Sequence, residues 1–232
     1  MVTVFDHQFE LVAGALCLDF VNTVGDRHGT WQYVRNYLQR YEDVVSWALQ
    51  AHVLGVREAA AMQALAFKRH EQAVEAFTRA VELRETLHAI FAPIAAGRPI
   101  RRDALATLNV QAAPLFAKSR LGIASDGLCR WVYDADASAP SSGSKSGGLQ
   151  PTVPAAGLFD RVAWSVARSA TELLTSGDLR NVHQCALETC GWLFLDVSKN
   201  KTRRWCAMKL CGNKAKVRHH RATRREETQG GT

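Results

Sequence analysis

Four of the chain's six cysteines fall within 27 residues, as Cys185-Ala-Leu-Glu-Thr-Cys190 and, fifteen residues later, Cys206-Ala-Met-Lys-Leu-Cys211. Two short-spaced pairs are what a tetrahedral structural zinc ion asks of a chain. Four thiolates leave no open coordination position, so the cofactor implied is one structural Zn2+ and not a catalytic metal. The C-x4-C spacing is wider than the common C-x2-C, and His183, His219 and His220 are candidate substitute ligands. The 48 residues from Cys185 onward are too few to bury a core of their own. Metal binding supplies the missing folding free energy, with Trp192, Phe194, Leu195 and Trp205 as a miniature core beside it. Cys17 and Cys129 stand alone in apolar runs and are expected as small buried residues.

Charge is concentrated at the same end. Between Lys199 and Arg225 there are eleven basic residues and no acidic one. With Glu226 and Glu227 the segment 199–232 carries +9, which leaves −2 for residues 1–198 out of the formal +7. Such asymmetry points to a polyanion-binding end on an ordinary folded domain. Lys214, Arg218, Arg221 and Arg225 are spaced i, i+4, i+7, i+11, one face of a helix, and Lys216 and Arg224 broaden the stripe. Gly212-Asn213 suits a tight turn from a zinc knuckle into that helix. A basic helix held by zinc can enter a DNA major groove, where Lys and Arg meet phosphates and guanine edges. Duplex DNA is the expected partner. The rival reading is an RNA-binding or protein-interaction zinc module, with Trp192 and Trp205 stacking on unpaired bases.

The remainder reads as a mainly helical domain with a small antiparallel sheet, hence α+β. Val12 to Val24 is a largely apolar run, either a strand or a short buried helix. Periodicity predicts helices over 33–49, 56–67, 70–91 and 102–113, with Pro93 and Pro114 as stops, and a last one over 155–174. Residues 120–124 and 128–133 flank Ser-Asp-Gly, a hairpin signal. Residues 135–154 are rich in Ser, Gly and Pro and are expected as a loop. The predicted division is residues 1–177 for the helical domain and 178–232 for the zinc module. No basic segment precedes an apolar one at the start, and no apolar run is long enough to span a bilayer, so a cytoplasmic protein is expected. Reduced thiols there favour metal over disulfides. None of the common catalytic motifs (G-x-S-x-G, H-E-x-x-H, G-x-G-x-x-G, Walker A) occurs, so no enzyme is expected.

The stretch Cys185…Cys190-Gly-Trp192-Leu-Phe194-Leu-Asp196-Val-Ser198-Lys-Asn200-Lys-Thr-Arg203-Arg204-Trp205-Cys206-Ala-Met208…Cys211-Gly212-Asn213 resembles the CGNR zinc-finger family. Lys214 stands where that family has its signature arginine, so charge is kept and a bidentate fork is lost. Leu18-Asp19-Phe20-Val21-Asn22-Thr23 and the helix bearing Trp47 resemble the ABATE domain, the usual partner of that finger. The resemblance implies a bacterial stress-response transcription regulator whose N-terminal domain senses a ligand. In the zinc module it raises two roles for Arg203 and Arg204: pairing with Asp196 to orient the loop between the cysteine pairs, or facing phosphate. In the N-terminal motif, Asp19, Asn22 and Arg27 are candidates to line a pocket for a small polar ligand; the competing reading is a buried capping network. A single finger buries little DNA, which favours a homodimer.

Overall fold

A computed structural model describes residues 7–27, 35–123, 126–133, 155–218 and 220. The apolar run at the start becomes a short helix, α1 (Leu16–Val21), with Cys17, Leu18, Phe20 and Val21 all buried. A strand has only two faces and would leave half of these side chains on one of them; a helix packed on several sides buries them all. Its first turn is held by α7 (Arg161–Thr175), where the Ser169 hydroxyl accepts the Cys17 N–H at 3.1 Å. α1 leads into β1 (Val24–Gly25), which pairs with β2 (Arg35–Asn36).

The helix predicted from residue 33 begins only at α2 (Tyr41–Gln50), and residues 33–34 lie outside the described part. Asp43 decides the boundary: its carboxylate accepts the N–H groups of Gln39 and Arg40 at 2.7 and 3.1 Å, which caps the first turn. Glu42 and Asp43 therefore sit at the positive end of the helix and not in its middle. α3 (Val56–Lys68) and α4 (His70–Ala95) follow as expected. Pro93 does not stop α4. The helix ends two residues later in a Schellman arrangement, with Gly97 N–H on Ile94 C=O at 2.9 Å and Arg98 N–H on Pro93 C=O at 2.8 Å. Likewise α5 (Arg102–Phe116) runs past Pro114. A proline near a helix end removes one N–H and leaves the helix to finish its last turn.

The hairpin signal is realised as β3 (Ser119–Ile123) paired antiparallel with β4 (Cys129–Tyr133); residue 124 lies outside the described part. Cys129 is exposed on it, contrary to the buried position expected, whereas Cys17 is fully buried and its thiol is pushed up to about 12 by burial. The expected loop 135–154 lies outside the described residues. The last predicted helix is broken at Phe159-Asp160 into α6 (Ala155–Leu158) and α7. Asp160 turns aside to accept Arg79 at 2.9 Å and Lys118 at 3.2 Å. β5 (Val182–Gln184) and β6 (Leu193–Leu195) then form a third two-stranded antiparallel ladder.

One hydrophobic core runs from Phe9 to Cys211. α4 lies at its centre, against α1, α2, α3, α5 and α7, and also against β5 and β6. The segment after residue 178 is thus built onto the helices and does not hold a miniature core of its own. Among the described residues no helix is long and apolar enough to cross a membrane.

Candidate metal centre and nucleic-acid surface

Cys185 follows β5 and Cys190 precedes β6, so one hairpin carries the first pair. Its turn is closed by Cys190 N–H on Leu187 C=O at 2.9 Å and Cys185 N–H on Trp192 C=O at 2.8 Å. The second pair is held by one tight helical turn. Cys211 and Gly212 both donate to Ala207 C=O, at 3.0 and 3.2 Å, and open a π-helical turn over Met208–Gly212 that continues as helix to residue 218. Gly212 lets the Met208 side chain lie directly against the turn, since a Cβ there would meet its sulfur and displace it.

All four sulfurs are buried and lie within 4.8 Å of one another. Cys190 and Cys206 are 3.8 Å apart, and Cys206 and Cys211 3.5 Å. Sulfurs at about 2.3 Å from a tetrahedral zinc stand about 3.8 Å from each other, so the set fits the ion, and a disulfide at about 2 Å is ruled out. Protons alone leave the sulfurs ill-matched. Hydrogen bonds from Cys190, Cys206 and Cys211 draw Cys185 down, while the bonds that Cys190 and Cys206 make to Cys185 push those two thiols up. A divalent cation lets all four ionise. No histidine joins the cluster among the described residues; His183 leans on the Phe194 ring at 5.9 Å, and His219 lies outside them.

Comparison with known families agrees with this geometry. Residues 181–224 match the CGNR zinc finger, and residues 14–177 match ABATE, described as "Putative stress-induced transcription regulator". The chain belongs to the ABATE family. No curated protein is similar to it. The ABATE region and the CGNR finger meet end to end in sequence, and the finger's four cysteines hold one structural zinc.

The predicted basic residues of the CGNR finger divide into two kinds. Arg204, Lys214, Lys216 and Arg218 are exposed, as is Lys209 beside them, and Arg204 lies over the Trp205 ring at 5.3 Å. Arg221, Arg224 and Arg225 lie outside the described residues. Arg203 spends its Nε and Nη2 on the fold. Its guanidinium donates to the carbonyls of Trp205 (3.0 Å), Val12 (2.7 Å) and Cys206, and covers the Phe194 ring at 4.4 Å. It ties the metal turn to the ABATE domain. Asp196 pairs with neither arginine side chain. It is fully buried and accepts the backbone N–H groups of Ser198 and Arg203, each at 2.9 Å. Hydrogen bonds from Ser198 and from the Arg203 backbone hold its carboxyl down at about 2.

The ABATE candidates Asp19, Asn22 and Arg27 are not brought to one pocket. Asp19 and Asn22 border a cavity of about 40 Å³, room for a water or two, and Arg27 is not among its walls. Asn22 is buried and reaches across to the finger: its Nδ2 donates to Leu193 C=O at 2.8 Å and its Oδ1 accepts Leu193 N–H at 2.9 Å. Asp19 accepts the Ala13 N–H at 2.8 Å, and burial pushes its carboxyl up to about 6. Arg27 donates to Glu85 at 2.9 Å and to Val21 C=O at 3.3 Å. These are the bonds of a capping and docking network. Further joints are Trp192 Nε1 on Val24 C=O at 2.9 Å and Leu195 N–H on Ala13 C=O at 2.7 Å.

Sequence reasoning missed Arg84. It is buried in α4, where it donates to Glu85 (2.9 Å), Thr23 (3.2 Å) and Asn36 (2.8 Å). Its position in the apolar phase set by Ala80, Leu83 and Leu87 was the available signal.

Proposed function

We propose that the chain is a zinc-dependent transcription regulator of the bacterial cytoplasm. Its zinc finger binds duplex DNA, and its N-terminal domain senses a small ligand. The observation that carries the reading is the exposed row of Arg204, Lys209, Lys214, Lys216 and Arg218 on and beside the helix that leaves the metal turn. No acidic residue occurs from 199 to 225 to neutralise it. Mutually repelling cations on a rigid helix are relieved by a polyanion. Lys and Arg on a helix suit phosphates and guanine edges alike. Base stacking finds less support, since Trp192 is buried and its indole N–H is spent on Val24. One finger covers little DNA, so two copies on a two-fold site supply the specificity.

The test is duplex DNA binding at two salt concentrations, with and without chelator, in competition with RNA and single strands. Five described cations, one phosphate each, give a slope of log K against log salt of about −4.5. Chelation abolishes binding, and duplex competes best. A flat salt dependence sinks the nucleic-acid reading altogether. Preference for RNA or single strands overturns the DNA assignment.

A further inference from the structure

A cavity of about 400 Å³, in the size range of small-molecule sites, lies along one face of α7. Arg161, Trp164 and Arg168 recur there at i, i+3 and i+7, which brings both guanidiniums to the Trp164 ring, at 5.1 and 5.7 Å. Leu16 at the start of α1, Val53 after α2 and Trp131 of β4 supply apolar wall. Tyr133, on the same face of β4 as Trp131, packs on Trp164 at 5.3 Å and so fixes the strand against α7. The Trp131 side chain beside it still leaves 43% of its surface open. Two cations here face two carboxylates, so the charges balance, but the hydrogen bonds do not. Glu172 takes the Nε of Arg168 at 2.8 Å, and Glu58 stands 3.4 Å from the Nε of Arg161. Among the described residues only one Nη group of the two arginines has a partner, Arg161 Nη1 on the Ser165 hydroxyl at 2.9 Å. The Trp164 indole N–H is buried with no acceptor, and exposed His52 on the same wall adds at least one more N–H. The surplus is therefore one of donors.

We propose that this cavity binds a small aromatic carboxylate. A carboxylate carries only acceptors, and its two oxygens match the paired Nη groups of a guanidinium. Arg168, with both Nη groups unspent, is the anchor. An ammonium group brings donors to donors, and a bare inorganic anion leaves Trp131 uncovered. A flat ring lies against that indole and against Leu16 and Val53. The site names a ligand class for the sensor reading of the N-terminal domain, and its regulatory purpose rests on that reading. It also has a short route to the finger. Leu16 opens α1, and Ser169 on the cavity wall accepts the Cys17 N–H at 3.1 Å. At the other end of the same helix Asn22 holds Leu193 of β6.

Four probes test it, titrated calorimetrically into the zinc-loaded full chain. 2-Naphthoate, 2-naphthylmethanol and 2-naphthylmethylammonium share a ring and differ in head group, and acetate has the head group alone. Naphthoate is expected to bind about ten-fold more tightly than each of the others. Arg168→Lys, which keeps the charge and the stem but loses the fork, should weaken naphthoate several-fold. Trp131→Ala, at a half-open position where folding is least at risk, should do the same. Equal binding of the alcohol, the ammonium or acetate overturns the proposal. So does naphthoate binding unchanged in both variants, as adsorption on the basic helix would give, or no naphthoate binding up to about 10 mM, the range expected of so small a ligand. DNA affinity measured with and without naphthoate separates this from the sensor reading. Naphthoate binding lost in the variants, with DNA affinity indifferent to it, keeps the cavity and removes sensing. A DNA response to naphthoate that survives both variants keeps sensing and removes the cavity.

Discussion

Replacing Asn22 by alanine tests the joint between the two regions directly. The side chain exchanges two hydrogen bonds with the backbone of Leu193, at 2.8 and 2.9 Å, in a place where Asn22 is 4% and Leu193 0% exposed. Asn22→Ala deletes both at once. Leu193 sits on β6, whose ladder partner β5 already uses the other edge, so neither its N–H nor its C=O has a second partner nearby. An unsatisfied buried backbone group costs about 1–3 kcal/mol, so the pair amounts to about 2–6 kcal/mol. That is a large share of the stability of an ordinary domain. The assay is urea unfolding followed by tryptophan fluorescence in the presence of zinc, with limited proteolysis alongside. A lower midpoint is expected, together with faster cleavage after residue 178 as the hairpin leaves α1 and α4. Thr78→Ala, an exposed hydroxyl bonded only within α4, is the comparison and should cost under about 0.5 kcal/mol. A loss below about 1 kcal/mol for Asn22→Ala, with unchanged proteolysis, would refute the claim that this side chain holds the finger in place.

Burial raises Asp19 from 3.8 to about 6, so between those values the folded chain keeps a proton that the unfolded chain has released. Stability then falls as pH rises from about 4 to about 6, and Asp19→Asn, which can still accept the Ala13 N–H, should gain up to about 3 kcal/mol at pH 7.5 and nothing at pH 4; a less stable variant at pH 7.5 contradicts this. Cys206→Ser should lower bound zinc from one per chain to none, because the remaining three sulfurs leave the ion an open, wet position; retention of one zinc after dialysis against chelator argues against the four-sulfur site. Lys214→Ala should leave stability within about 0.5 kcal/mol and lower the salt slope of DNA binding by about 1, while Arg203→Ala should destabilise by about 2–4 kcal/mol without changing that slope; the opposite pattern reverses the roles assigned to the two residues.

How much of this was legible beforehand follows from the range of the forces involved. The zinc set was plain because two pairs of sulfurs converging on one ion leave a local trace in residue spacing. Helices α3 and α4 were equally plain, since an apolar stripe is a property of one segment. The errors in extent came from local signals outweighed by neighbours. Pro93 and Pro114 each remove one donor, yet packing of Ile94 and Leu115 against the core carries the helices past them. The start of α2 was misplaced because Asp43 looks like a surface charge until its carboxylate is seen on Gln39 and Arg40.

What could not be read was any bond whose partners are far apart in the chain. Arg203 reads as one more cation in a basic run, and only its distance of 2.7 Å from the carbonyl of Val12, 191 residues away, gives it a structural task. The same holds for Asn22, whose partner Leu193 is 171 residues distant. Asn22 is a candidate as a polar group bordering an apolar run and Arg203 as a cation in a basic run, and both spend that polarity on the joint between helices and finger. This has a consequence for any regulator built this way. A finger fixed by Asn22, Trp192, Leu195 and Arg203 to α1 and its flanks cannot swing freely on a linker. Under the sensor reading proposed above, a signal from the N-terminal domain would act by shifting or loosening a packed interface, not by releasing a tethered module. Since α1 and α4 each pack on both the helical core and the β5–β6 hairpin, they are the elements through which such a shift has to pass.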